Sequence, residues 1–243
     1  MSEAEWGFGP ADDRDGVLLV SPHLDDAVIS CGAFLLAHPG ASVATLFAAS
    51  PAEYTNPLNE WDTECGFQPG DDTMAVRRGE DCRALAETGG AVPRWLDFCQ
   101  NSHVARADPG AIPDGAVDAL VTAIVDLQAR VVVAPLGLGH PDHIACHATA
   151  LAVRERTPGT YWLWYSDLPY AYIPRVLSAR FRALHRTGFV ATPACPVLSH
   201  DFAAKWRALC EYTTQVAGLD RLWRLRDRLE RGGESYWELD ATE

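Results

Sequence analysis

Val17-Leu18-Leu19-Val20-Ser21-Pro22-His23-Leu24-Asp25-Asp26-Ala27 is the stretch whose reading decides the fold. Val17 to Ser21 make a short apolar run, the pattern of a strand buried on both faces. Pro22 breaks the run, and residues 26–38 then read as a helix. Strand, turn and helix in that order are the opening unit of an α/β domain.

The same alternation continues outward. Residues 42–49 read as a second strand, rich in Val, Thr and Phe. Residues 73–88 read as a helix opened by Asp72 or Thr73 and ended near Gly89-Gly90. Residues 94–98 make a short strand. Residues 114–128 carry Val117, Leu120, Ile124 and Leu127 at helical spacing. A buried strand at 130–134, a helix at about 143–155 and a strand at 160–166 follow. Two helices near 199–216 and 218–230 precede a last strand at 235–239. The alternation predicts a mainly parallel sheet with helices on both faces. No G-x-G-x-x-G follows the first strand, so the dinucleotide fingerprint is absent. Residues 50–72 differ: Pro51, Pro57, Pro69, Gly66 and Gly70 make them a long irregular loop, while Trp61 and Phe67 argue for order and contact.

Composition narrows the function. The 243 residues carry a formal net charge of −13 and no Lys/Arg cluster clear of acids, which speaks against nucleic acid and anionic membranes. No apolar run approaches the ~20 residues of a membrane span, so no insertion is expected. Glu3, Glu5, Asp12 and Asp13 precede the first apolar stretch, unlike a signal peptide, so the expected location is the cytoplasm. The seven cysteines form no C-x-x-C pair, which disfavours a thiolate zinc site.

Two His/Asp clusters carry the chemistry. The first is Ser21-Pro22-His23-Leu24-Asp25-Asp26, directly after the 17–21 strand. The second is Gly139-His140-Pro141-Asp142-His143, a short loop after the 130–134 strand. Sites in open α/β sheets form at the carboxyl ends of strands, so the two can meet. A catalytic zinc takes three ligands from His, Asp or Glu and keeps one position open. His23 and Asp26, three apart at a strand-to-helix turn, can point at one ion, with His143 as the third ligand. Asp25 is left as a general base toward water. His140 is left to stabilise an oxyanion or act as an acid, with Asp142 orienting or charge-stabilising it. Each cluster alone reads as readily as a helix cap or a surface turn; their joint placement at two strand ends favours a site. His147 shares a helical face with His140 and His143 and reads as a core or surface histidine more readily than as a fourth ligand. His38, His103, His185 and His200 read as structural.

Ser21-Pro22-His23-Leu24-Asp25-Asp26-Ala27 resembles the A/P-H-P-D-D-E signature of the PIG-L/LmbE deacetylase family, and Gly139-His140-Pro141-Asp142-His143 is similar to that family's second motif. Arg77-x-x-Glu80 resembles its R-x-x-E helix, and Tyr165-Ser166-Asp167-Leu168-Pro169-Tyr170 a recurrent later block. The match runs in order over about residues 17–175. The resemblance implies a Rossmann-like fold and a metal, zinc or another divalent transition ion, on His23, Asp26 and His143. It implies Asp25 as base, His140 as the oxyanion or acid group, and Arg77 as a substrate contact, for which a surface ion pair with Asp81 is the alternative. The expected substrate is an acetylated amino sugar. Leu24 and Ala27 depart from the family's Pro and Glu.

The domain expectation is one unit over 1–243, with its core at about 15–175, an extension at about 176–243 packed on it, and room for a homo-oligomer. The rival enzyme is an amidase on a thiol conjugate or another natural-product amide. A metal-binding homologue without catalysis is the rival of another class, against which Asp25 and His140 both speak. Aromatics at 161–172 and the 50–72 loop are expected to divide between core and pocket.

Overall fold

Strand β1 (Val17–Ser21) forms where the apolar run predicts it, and the side-chain period of two explains its burial. Leu18 and Val20 enter one hydrophobic cluster, and Leu19 enters another on the opposite face. The computed structural model describes residues 16–242 apart from 56, 57 and 105, so the acidic N-terminal residues and Pro57 lie outside the described residues.

In chain order, α1 (Asp26–Ala37), β2 (Ser42–Thr45), α2 (Glu60–Glu64), α3 (Thr73–Glu87), β3 (Val92–Trp95), α4 (Ala116–Asp126), β4 (Val131–Pro135), α5 (Pro141–Arg156) and β5 (Tyr161–Tyr165) complete the expected alternation. A single turn of 3-10 helix at Tyr170–Tyr172 leads to α6 (Val176–Arg186), β6 (Phe189–Ala194), α7 (Phe202–Cys210), α8 (Val216–Trp223), α9 (Leu225–Arg231) and β7 (Tyr236–Ala241).

The sheet order is β3-β2-β1-β4-β5-β7-β6. Its first five strands are parallel, and β7 and β6 join antiparallel. Val132 and Ala134 of β4 and Trp162 and Trp164 of β5 face the cluster under α4, α5 and α6. Val133, Leu163 and Tyr165 face the cluster under α1, α3, α7 and α9. Helices therefore cover both faces, as expected. No described helix is long and apolar enough to cross a membrane.

The structure corrects the sequence reading in the last third. Residues 176–194 were assigned no element, yet they form α6 and β6. The expected helices at 199–216 and 218–230 are three, with Arg224 in the left-handed region (φ 52°) at the break between α8 and α9. The 50–72 loop contains α2, capped by the Asn59 side chain accepting from Asp62 N at 2.9 Å.

The chain leaves β1 toward β2 on one side, while β4 pairs with β1 on the other, in register Val17↔Val131. The order reverses there, and the crevice at such a reversal is where open α/β sheets bind ligands.

Candidate active site

His23 follows β1, His140 to His143 follow β4, and Asp167 follows β5, so three adjacent strand ends deliver the cluster. Gly139 (φ 70°) permits the turn into α5: a Cβ there would stand 2.5 Å from the Tyr170 ring. Pro141 takes the first helical position, where a missing N–H costs nothing.

Two imidazoles converge on one carboxylate oxygen. Asp26 Oδ2 lies 3.1 Å from His23 Nδ1 and 3.0 Å from His143 Nε2. Each ring is tied from behind by another carboxylate. His23 Nε2 donates to Asp142 Oδ2 at 3.1 Å, and His143 Nδ1 donates to Asp167 Oδ1 at 2.7 Å. With both rings neutral, those bonds leave His23 Nδ1 and His143 Nε2 as the lone-pair nitrogens. His143 Nε2 is buried, and nothing meets it with hydrogen-bond geometry despite the nearness of Asp26. Lone pairs converging beside a carboxylate, with one buried nitrogen orphaned, fit a divalent cation.

Protons compete with a cation for the same two nitrogens. Burial opposes a charged His23, but Asp142 and Asp26 outweigh it and lift the ring to about 9. Burial likewise opposes His143, and Asp26 and Asp167 lift it to about 10. Asp26 is held well below the usual carboxylate range: His143 and His23 overcome its burial. The cluster thus draws positive charge.

His140 is different. Its ring nitrogen lies within 4.8 Å of those of His23 and His143, so spacing alone admits it as a ligand. Its Nδ1, however, accepts the backbone N–H of Asp142 at 3.1 Å. Burial, then the neighbouring His23 and His143, push it down to about 4. A neutral ring accepting at Nδ1 carries its proton on Nε2. The Asp142 carboxylate stands 3.9 Å from the His140 ring, where its charge favours a protonated His140, and it also contacts His23 at 3.1 Å.

Asp25 sits at the N-cap of α1, but its side chain makes no capping bond. Its carboxylate is buried, and burial followed by Asp26 pushes it up to about 6. It lines a cavity of about 300 Å³ together with His23, Asp26, His140 and Arg77. Arg77 is buried and pairs with Asp62 at 2.8 Å, its guanidinium 5.5 Å from the Phe67 ring. The expected alternative partner, Asp81, instead accepts from Trp95 and Tyr212.

Leu24 packs with Ala48 and Met74, and Ala27 is fully buried in the core, so the two departures from the motif are filled by apolar contacts. His147 is a core histidine, donating from Nδ1 to Pro135 O at 2.8 Å and packed on Trp164. Of the aromatics at 161–172, Trp162, Trp164 and Tyr165 are core, while Tyr170 lines the cavity. Trp61 lines it from the 50–72 loop.

Two contributors escaped the sequence reading. Asp167 belongs to the Ser-Asp-Leu-Pro block, which was its only signal. Arg106 grips the Asp142 carboxylate while its guanidinium lies 4.7 Å over Phe47, and no local pattern marks it.

Residues 18–154 match the sequence profile of the family described as PIG-L: GlcNAc-PI de-N-acetylase. The chain is 33% identical over 196 residues to 2'-N-acetylparomamine deacetylase of Streptomyces fradiae, covering 70% of this chain and 66% of that protein. It is 32% identical over 168 residues to 1D-myo-inositol 2-acetamido-2-deoxy-alpha-D-glucopyranoside deacetylase of Nocardia farcinica, covering 60% and 56%. The chain therefore spans less than two thirds of the length of either relative. The crystal structure of the A40926 pseudoaglycone deacetylase Dbv21 superposes with a TM-score of 0.75 at 26% identity, covering 95% of this chain and 99% of that one.

Proposed function

The chain belongs to the PIG-L family, and on that premise we propose that it hydrolyses the N-acetyl amide of an amino sugar with a divalent metal, zinc by preference, held by His23, Asp26 and His143. The observation that carries this reading is the convergence of His23 Nδ1 and orphaned His143 Nε2 on Asp26, each ring fixed from behind by a carboxylate. When bound there, such an ion supplies a Lewis acid that polarises the amide carbonyl and acidifies a neighbouring water.

The chain's own groups supply the rest. Asp25, uncommitted to capping, takes a proton from the attacking water. His140 Nε2–H donates to the oxygen that becomes negative in the tetrahedral state. The proton held on Asp25 then passes to the leaving nitrogen, giving free amine and acetate. Arg77, fixed by Asp62, offers its guanidinium to sugar oxygens. The relatives named as deacetylases of amino-sugar compounds support the substrate class.

Acetate release from an N-acetylglucosaminide tests the roles. Asp25→Asn is expected to lose activity by about 10²–10⁴-fold, and His140→Ala by about 10²–10³-fold, with metal content unchanged in both. An Asp25→Asn variant at wild-type rate would remove the base assignment.

A further inference from the structure

One wall of the cavity does work that hydrolysis of the amide does not require. Beyond the imidazoles and carboxylates, the lining is largely apolar, and Arg77 is its sole charge among the described residues. Gln215, Leu219, Leu222 and Trp223 come from α8 and its approach, and Trp61 faces them from α2. Leu222 is 57% exposed. Gln215 is only 4% exposed, and its amide nitrogen has no hydrogen-bond partner. A buried donor left unpaired in an apolar wall costs stability unless something brings it an acceptor.

The wall is also held in place. Glu80, the second residue of the Arg77-x-x-Glu80 pattern, accepts from Thr213 Oγ1 and Thr214 N at 2.7 Å each and from Thr214 Oγ1 at 2.8 Å. It thereby fixes the entry to α8, while Arg77, one turn earlier on α3, faces the cavity. Gly218 packs so close to Trp61 that a Cβ would stand 3.0 Å from the indole, and Arg221 pairs with Glu64 across the same seam.

We propose that Gln215, Leu219, Leu222, Trp223, Trp61 and Tyr170 form a subsite for the aglycone of the substrate, and that this aglycone is apolar or aromatic. The Gln215 amide donates to an oxygen of the sugar or its glycosidic link, and the indoles and leucines cover the aglycone face. A polyamine aglycone finds no carboxylate on this wall, and a polyol finds too few polar partners. This inference rests on the deacetylase reading for its turnover assay but not for its binding assay.

The experiment compares kcat/KM for free N-acetylglucosamine, its phenyl glycoside, its inositol glycoside and an aminocyclitol glycoside. The phenyl glycoside is expected to lead by about 10-fold or more, as one apolar group in a pocket does. Leu222→Asp, at an exposed position, is expected to bring that preference within about 3-fold of unity, while Leu222→Met retains it. Equal turnover of all four, or preference for the polyol or the amine, overturns the subsite. If no probe releases acetate, calorimetric titration with phenyl glucosaminide decides. Binding that weakens about 10-fold in Leu222→Asp upholds the subsite while the deacetylase reading fails, and absence of binding to the wild type overturns the subsite as well.

Discussion

Two clusters of buried charge meet α1, one at its middle and one at its first turn, and they are built to opposite rules. At the middle of the helix, Glu234 accepts from Ala33 N at 2.7 Å, Phe34 N at 3.1 Å, Lys205 Nζ at 2.6 Å and Tyr236 O–H at 2.6 Å. It caps the second half of α1 after the non-helical Cys31 and pairs the buried Lys205. At its first turn, the cluster of His23, Asp26 and His143 holds a buried nitrogen, His143 Nε2, 3.0 Å from Asp26 Oδ2 without hydrogen-bond geometry, and gathers carboxylates around it. Buried polar groups are normally satisfied, so the first cluster explains itself as structure and the second asks for a cation.

That contrast can be broken from either side. The largest effect is expected at the satisfied cluster: Glu234→Ala strands Lys205 in the core and should lower unfolding free energy by about 3–5 kcal/mol. Chemical denaturation with a metal titration alongside checks it, and a loss of metal affinity without loss of stability would reverse the assignment. At the open cluster, Arg106→Ala frees Asp142 from its grip, and Asp142 holds His23. Competition against a chelator should show metal affinity about 10–100-fold weaker, as loss of an outer partner does.

A third buried carboxylate sharpens the comparison with the smallest effect. Asp81 accepts only neutral donors, Trp95 Nε1 and Tyr212 O–H at 2.9 Å each, and burial pushes it up to about 7. Between the ordinary carboxylate range and pH 7 the folded chain keeps a proton that the unfolded chain has released. Its contribution to stability therefore falls as pH rises through that window and levels off above it. Asp81→Asn should flatten this slope and stabilise the protein by about 1–2 kcal/mol at pH 8, read from denaturation curves at pH 5 and 8.

The parallel half of the fold was legible because β1 and β4 are buried on both faces and so read as unbroken apolar runs. α6 and β6 were not: Leu184 is the sole buried residue of α6, and β6 is an edge strand interrupted by Pro193. The site divides along the same line. His23, Asp25, Asp26, His140 and His143 lie in two short motifs at strand ends, where spacing alone places them together. Asp167, Arg106 and Gln215 reach the site only through tertiary packing. Asp142 was legible as a participant, but the direction of its carboxylate was not, since that depends on which loop brings Arg106 and Asn101 N to it.

Amide hydrolysis is proposed to depend on a metal held by Asp26 and the carboxylate-backed imidazoles of His23 and His143. Elemental analysis of the purified chain before and after chelation, read alongside acetate release from phenyl N-acetylglucosaminide, tests it most directly. One divalent ion per chain is expected, with loss of acetate release when it is stripped, recovery on adding zinc, and no recovery in His143→Ala. Undiminished acetate release from a chain shown to be free of metal would contradict it.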